Sequence, residues 1–443
     1  MHYSLIAIGD SLTQGFRSLA VNREFQESSF PFQIYQQNKE LFSRFVMPEI
    51  KAPGYPINLE YVLYRLQEFD SIELAVEELR KEIFPVVKND FTNKKTNNNL
   101  GIVGFTAEEI YSSNFNNSSS FLNKVIVTLE NKNFLSGVST LINLTLDGIS
   151  SIFSKHFIGL SFSRIVFTVL GGNENTELHC AKQIFAEDRL AKRESLVTYW
   201  AGANDIIGAL LSGDKNFISD SGKVLEFIEK TVNSVLSEEG TTLVIADIPN
   251  IKLVPFINRE TMKPIFPMYS EMSEETWLEI GAAVNSINFG IYKIVEKNKK
   301  LFNERIELVE VNSLFDKMCA SGQKVLLADG SETVITAEYI GTDHKGKLSK
   351  GGIFSLDGVH PGATGYAILG NEFIRSFNRL GKNLCLIDID TISVKDKIIN
   401  QPPKYINQFL DINSTVNSAI KKLGVYAFIS TYIMAQFNLN NNS

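Results

Sequence analysis

The stretch YSLIAIGDSLTQGF, Tyr3 to Phe16, carries the reading on which the fold turns. Tyr3–Ile8 is dominated by aromatic, β-branched and other apolar residues, the composition of a strand buried on both faces. It runs directly into Gly9-Asp10-Ser11-Leu12 and then into helix-forming residues, so Ser11 falls at a strand-to-helix junction. Two roles are open to a serine there. It can cap the helix by accepting from the orphan N–H groups of the first turn, or it can be a nucleophile presented at the end of the strand. Local sequence alone favours the cap, and Asp10 beside it reads as an organiser of the turn.

Working outward, four more β-rich runs recur: LGIV (Leu100–Val103), SLVTYWA (Ser195–Ala201), TTLVIAD (Thr241–Asp247) and IELVEV (Ile306–Val311). Helical periodicity lies between them, as over Glu60–Phe84 and Ile280–Phe302. This alternation predicts an α/β fold, a doubly wound sheet of five parallel strands between two helical layers. The frame spans 1–380. A polar tract, Ser112–Ser120, opens an insertion over about 111–194, in which Phe134–Phe153 carries an apolar stripe at helical spacing. A second insertion, about 322–340, reads as a hairpin turning at Asp329-Gly330. Residues 381–443 form a C-terminal extension with helical patterning, broken at Pro402-Pro403.

Composition narrows the function classes. With 44% hydrophobic and 21% charged residues the chain can bury a large core. A net charge of −7 without a dense basic stretch argues against nucleic acid as a partner. Cys180, Cys319 and Cys385 are far apart and odd in number, which predicts free thiols in a reducing compartment and no metal site. No cleavable signal pattern follows Met1, and the nearest candidate for a spanning helix, the uncharged apolar run Leu423–Phe437, is too short to span a bilayer. The expectation is a cytoplasmic protein, or one exported without a cleaved signal. Oligomeric state has no signal in the sequence.

In a doubly wound sheet, ligands bind beyond the carboxyl ends of the strands. The residues at those places are Ser11, then Gly104, then Gly202-Ala203-Asn204-Asp205, then, beyond the hairpin, Asp357 and His360. Together they are the parts of acyl-ester chemistry: a hydroxyl, an imidazole to take its proton, a carboxylate to fix the imidazole's tautomer, and donors for an oxyanion. Asp205 also reads as a helix cap. His344, in GTDHKGK, is the one other candidate base, while His156 and His179 have no ligand partners at useful spacing.

The sequence resembles the GDSL, or SGNH, hydrolase family through four blocks in order: Gly9-Asp10-Ser11-Leu12, Gly104, Gly202-Ala203-Asn204-Asp205 and Asp357-Gly358-Val359-His360. ADIPNIKLVPF (Ala246–Phe256) and FSLDGVHPGATGYAILGNEF (Phe354–Phe373) also look like bacterial members described as esterases or lipases. The resemblance implies a flavodoxin-like α/β/α fold, Ser11 as nucleophile, His360 as base, Asp357 as its orienter, and Ser11, Gly104 and Asn204 as oxyanion donors. Gly101 competes for the place of Gly104. Neither cofactor nor metal is implied. The expected activity is hydrolysis of carboxylic esters through an acyl-enzyme, with lipid or lysophospholipid substrates preferred because the insertion supplies so much apolar surface. A carbohydrate O-acetyl esterase, a thioesterase or an acyltransferase would use the same parts. A binding protein with a blocked crevice is the competing class. The insertion reads either as packed on the body or as a lid, and the insertion and tail are the candidates for contact with a membrane surface.

Overall fold

The computed structural model describes residues 3–56, 58–69, 96–114, 165–171, 174–212, 221–257, 274–409, 411 and 413–416. The central sheet has four parallel strands, β1 (Tyr3–Gly9), β2 (Glu194–Trp200), β3 (Thr241–Ala246) and β4 (Ile306–Val309), hydrogen-bonded in that spatial order. Every residue of β3 is buried, and so is all of β1 after Tyr3. That explains the apolar runs, because helices cover both faces. The register sets Gly9 opposite Trp200 and Tyr199 opposite Ile245, so the carboxyl ends of the strands form one rim.

The helices that matter for the site are α1 (Ser11–Gln14), α2 (Phe30–Gln37), α3 (Ala107–Ser112), α4 (Glu177–Leu190), α5 (Ala203–Ser212), α6 (Ser221–Leu236), α7 (Glu274–Leu301), α8 (Val311–Ser321) and α9 (Ala363–Arg379). Helix α9 packs on α2 and on β4, while α4 lies against β1 and β2 and α6 lies against α3, α7 and β3. At the centre, Phe30 of α2 stacks on Phe373 of α9 with ring centroids 4.3 Å apart, and both meet Trp200 at 6.0 Å. The buried indole N–H is satisfied by the Asp247 carbonyl at 3.1 Å. Truncating an aromatic in such a core typically costs about 3–5 kcal/mol.

Three expectations change. Leu100–Val103 is not a strand. It lies beside β1 where a fifth strand would pair, but with one isolated bridge, Ala7 to Asn99, and three backbone hydrogen bonds: from Ala7 N–H to Asn98 O and from Leu100 N–H to Ala7 O, both 2.8 Å, and from Ile102 N–H to Gly9 O, 3.1 Å. The reason is local: the amides of Asn98 and Asn99 reach the backbone of Leu5 and Thr13 themselves, and Gly101 sits so close to α1 that a Cβ would come within 2.6 Å of the Gln14 nitrogen. Second, α4 falls within the expected insertion yet belongs to the frame, since its Asp188 carboxylate accepts from Ser4 of β1 and Ser195 of β2. Third, the hairpin pairs β5 (Gln323–Leu326) with β6 (Glu332–Ile335) through a five-residue connection, Leu327–Ser331, rather than a two-residue turn. The helix expected over Glu60–Phe84 is described as Leu59–Leu66. The apolar stripe Phe134–Phe153 and the run Leu423–Phe437 lie outside the described residues. Among the described residues no helix is long and apolar enough to cross a membrane.

Candidate active site

Asp10, not Ser11, caps α1. Its carboxylate accepts from the Leu12 N–H at 2.9 Å from an extended backbone, which makes Ser11 the first helical residue. The Ser11 hydroxyl turns instead to His360, with Oγ 2.9 Å from Nε2. On the other side of the ring, Nδ1 lies 2.9 Å from Asp357 Oδ2. An ionised carboxylate can only accept, so Nδ1 carries the proton, and Nε2 of the neutral imidazole is left to accept from the serine. All three residues are buried. The edge of the Phe16 ring rests on the imidazole, centroids 4.9 Å apart.

The turn Ser355–His360 is built to hold the aspartate. Asp357 Oδ1 accepts from the Ser355 hydroxyl at 3.1 Å and from the N–H groups of Val359 and His360 at 2.9 Å each, and Oδ2 accepts from the Leu19 N–H at 3.0 Å. Burial alone would raise its pKa. The charge of His360, the ring hydrogen bond, and the backbone N–H groups of His360 and Leu19 outweigh that and hold it below the usual carboxylate range. Gly358 fits the turn because its φ is +66° and because the Tyr339 ring lies so close that a Cβ would approach it to 2.9 Å.

Leu19 reaches Asp357 from a strained turn. Ser18 and Leu19 have φ of 48° and 63°, which non-glycine residues avoid at a cost of order 1–3 kcal/mol each. Surrounding bonds fix the turn: Ser18 N–H donates to Ser355 Oγ at 2.9 Å, the Ser18 hydroxyl donates to Glu60 at 2.8 Å, and Glu60 pairs with buried Arg17 at 3.2 Å. Sequence reasoning missed Leu19 and Ser355. Their contacts cross 338 and 337 positions, and only the closeness of Ser355 to the Asp357 block hints at a part.

The expected oxyanion donors come together less completely. Asn204 lines the cleft beside Ser11, but its amide nitrogen donates to Phe105 O at 3.0 Å and to Asp10 Oδ2 at 3.2 Å. These contacts tie the segment after Gly104 to the residue before Ser11. Gly104 is buried in a turn with φ +85°. Among the described residues, neither its backbone N–H nor that of Ser11 has a hydrogen-bond partner. Gly101 is packed against α1, so Gly104 suits the donor role better. Asp205 does not cap α5; it sits inside that helix, and its Oδ2 accepts from Ala107 N–H at the start of α3, 3.0 Å away.

Other candidates stand apart. His344 lies exposed in the Asp343–Lys347 turn, and exposed His179 faces Gln183. His156 is outside the described residues. The cysteines are free, and burial pushes the Cys180 thiol up to about 12.

Behind the nucleophile lie the carboxyl groups of Asp10 and Glu177, both buried, and of Asp205, half-buried. Burial raises Asp10 to about 7 and Asp205 to about 6, against hydrogen bonds from Leu12 and Ala107 respectively. Glu177, fully buried, accepts from Gly9 N–H at 3.1 Å through Oε2, while Oε1 has no partner among the described residues. Burial, then the Gly9 bond working against it and the Asp10 charge adding to it, leave Glu177 well above the carboxylate range. A group kept protonated in the fold but ionised when unfolded takes stability away as pH rises from the ordinary carboxylate range through neutrality. Glu177→Gln is therefore expected to match the wild-type Tm near pH 4 and to exceed it by a widening margin up to pH 8. A Tm difference independent of pH would contradict the assignment.

A narrow cavity of about 70 Å³ adjoins Ser11 and His360, with Leu12, Leu19, Ile207, Ile251, Phe256 and Phe315 among its walls. A larger one, about 660 Å³, opens between the hairpin insertion and the C-terminal segment, and none of Ser11, Asp357 and His360 lines it. The small cavity is the one placed for the chemistry. A family model described as GDSL-like Lipase/Acylhydrolase matches residues 5–373. No curated protein matches the chain.

Proposed function

The chain belongs to the GDSL-like lipase/acylhydrolase family, and from that membership we propose that it hydrolyses carboxylic esters as a serine esterase, through an acyl-enzyme on Ser11. The observation that carries the reading is the unbroken line of hydrogen bonds from Ser11 Oγ to His360 Nε2 and from His360 Nδ1 to Asp357, each 2.9 Å. Ser11 Oγ attacks the ester carbonyl while Nε2 takes its proton. The resulting oxyanion meets the N–H groups of Ser11 and Gly104, and competes for the Asn204 hydrogen otherwise given to Asp10. Losing one such donor typically costs 10²–10³ in rate. His360 then returns the proton to the departing alcohol. A water molecule attacks the acyl-enzyme, giving its proton to Nε2, and Ser11 leaves with that proton as the acid is released.

The acyl group enters the apolar cavity at Ser11. The expectation of lipid or lysophospholipid substrates rests on the insertion stripe, outside the described residues; the cavity itself favours a short acyl chain. A cavity of ~150 Å³ holds a benzene ring, so one of about 70 Å³ suits only a few carbons. The test is a series of aryl esters from acetyl to palmitoyl. The expected result is a kcat/KM highest between acetyl and butyryl and at least about tenfold lower for palmitoyl, a chain that must lie outside the cavity. A rate that climbs steadily with chain length would contradict the short-chain reading and restore the lipid one.

A further inference from the structure

The family match ends at residue 373, yet the chain beyond it contacts the residues that support the Asp357–His360 turn. We infer that the C-terminal extension is a positioning element for catalysis: Asp396 and Phe409 brace the two flanks of the Asp357–His360 turn. The inference rests on the esterase reading above.

One brace is in the first turn of α9, at Thr364, four residues after His360. Its N-cap is Gly362, which has no side chain to offer the orphan N–H groups. Asp396, buried in the extension, supplies the missing cap: Oδ2 accepts from the Thr364 N–H at 2.9 Å and from the Thr364 hydroxyl at 2.8 Å. The other brace runs through the hairpin insertion. Buried Phe409 stacks on Tyr339 with centroids 6.5 Å apart and planes 22° apart. The Tyr339 hydroxyl donates to the Leu356 carbonyl at 2.5 Å, and its ring lies flush against Gly358. Leu356 and Gly358 flank Asp357, so Phe409, Tyr339 and the turn form one stack. Neither brace touches the reacting atoms. Both act on a short turn whose placement must hold to about 0.5 Å for the Ser11–His360 bond to persist.

The test compares Asp396→Ala, Phe409→Ala and Tyr339→Phe with wild type, well below the lowest Tm. The readouts are kcat, KM and the rate at which a fluorophosphonate labels Ser11. Misplacing a catalytic group from a distance can cost up to ~10²-fold. The expected result is therefore a fall of about 10- to 100-fold in kcat and labelling rate, with KM little changed. Asp396→Asn and Phe409→Tyr, which keep an acceptor and a ring, should recover most of the loss. They also keep the test alive if an alanine variant fails to fold. Folded variants that lose Tm but label at the wild-type rate would overturn the inference and leave the extension a purely structural part. Failure of wild type to label at all would instead remove the esterase reading beneath it.

Discussion

Ser11→Ala is expected to lower kcat for ester hydrolysis by roughly six powers of ten, the order found when a triad serine is removed, with little change in fold. The reasoning is structural. Ser11 is buried, its hydroxyl is 2.9 Å from His360 Nε2, and the capping of α1 belongs to Asp10. Removing Oγ therefore deletes the nucleophile without deleting a cap, and Tm should move by no more than a degree or two. Steady-state kinetics and a thermal melt on the same preparation check both halves. Retention of a tenth of the wild-type rate would mean that another group attacks the ester.

Asp357→Asn has the second largest expected effect, a fall of about 10⁴ in kcat near neutral pH, the size seen when a triad aspartate becomes an amide. The Asp357 carboxylate is an acceptor on every side: from Ser355, Val359 and His360 at Oδ1, and from Leu19 and the His360 ring at Oδ2. An amide must turn its NH₂ toward one of these sets of donors. Facing His360, it drives the proton from Nδ1 to Nε2, and a protonated Nε2 cannot take the proton of Ser11. Facing the other way, it sets donor against donor at the Val359 and His360 N–H groups. The two costs differ in their signature. The first opposes one backbone donor, the Leu19 N–H, and lowers kcat with a small loss of Tm, whereas the second opposes the N–H groups of Val359 and His360 and lowers Tm further. A fall of less than tenfold would show that Asp357 does not set the tautomer of His360.

The strand-end rule made the chemistry legible in the sequence, because Ser11, Asn204 and the Asp357–His360 pair each follow a recognisable run or block. The parallel sheet was legible for the same reason in β1 to β4, whose burial on both faces forces continuous apolar runs. What could not be read is what depends on distant partners. Asp10 and Ser11 are both good caps, and only the position of His360 decides between them. Leu100–Val103 has strand composition, but the Asn98 amide takes the Leu5 carbonyl of β1 and the Asn99 amide reaches across to α1, which no periodicity reveals. Asp205 has the place of a cap and spends its carboxylate on another helix. Glu177 sits in a stretch that reads as an insertion and is in fact buried against Gly9, two residues from the nucleophile. Asp396 and Phe409 fall in a tail with no motif, and their partners Thr364 and Tyr339 lie 32 and 70 positions away.

The most direct test of the account is the mass of the intact protein after incubation with a fluorophosphonate, followed by peptide mapping. The expected result is a single added phosphonyl group on Ser11 in wild type, none in Ser11→Ala, and a much slower reaction in Asp357→Asn. Unmodified wild type, or a label on any residue other than Ser11, would contradict the assignment of Ser11 as the nucleophile.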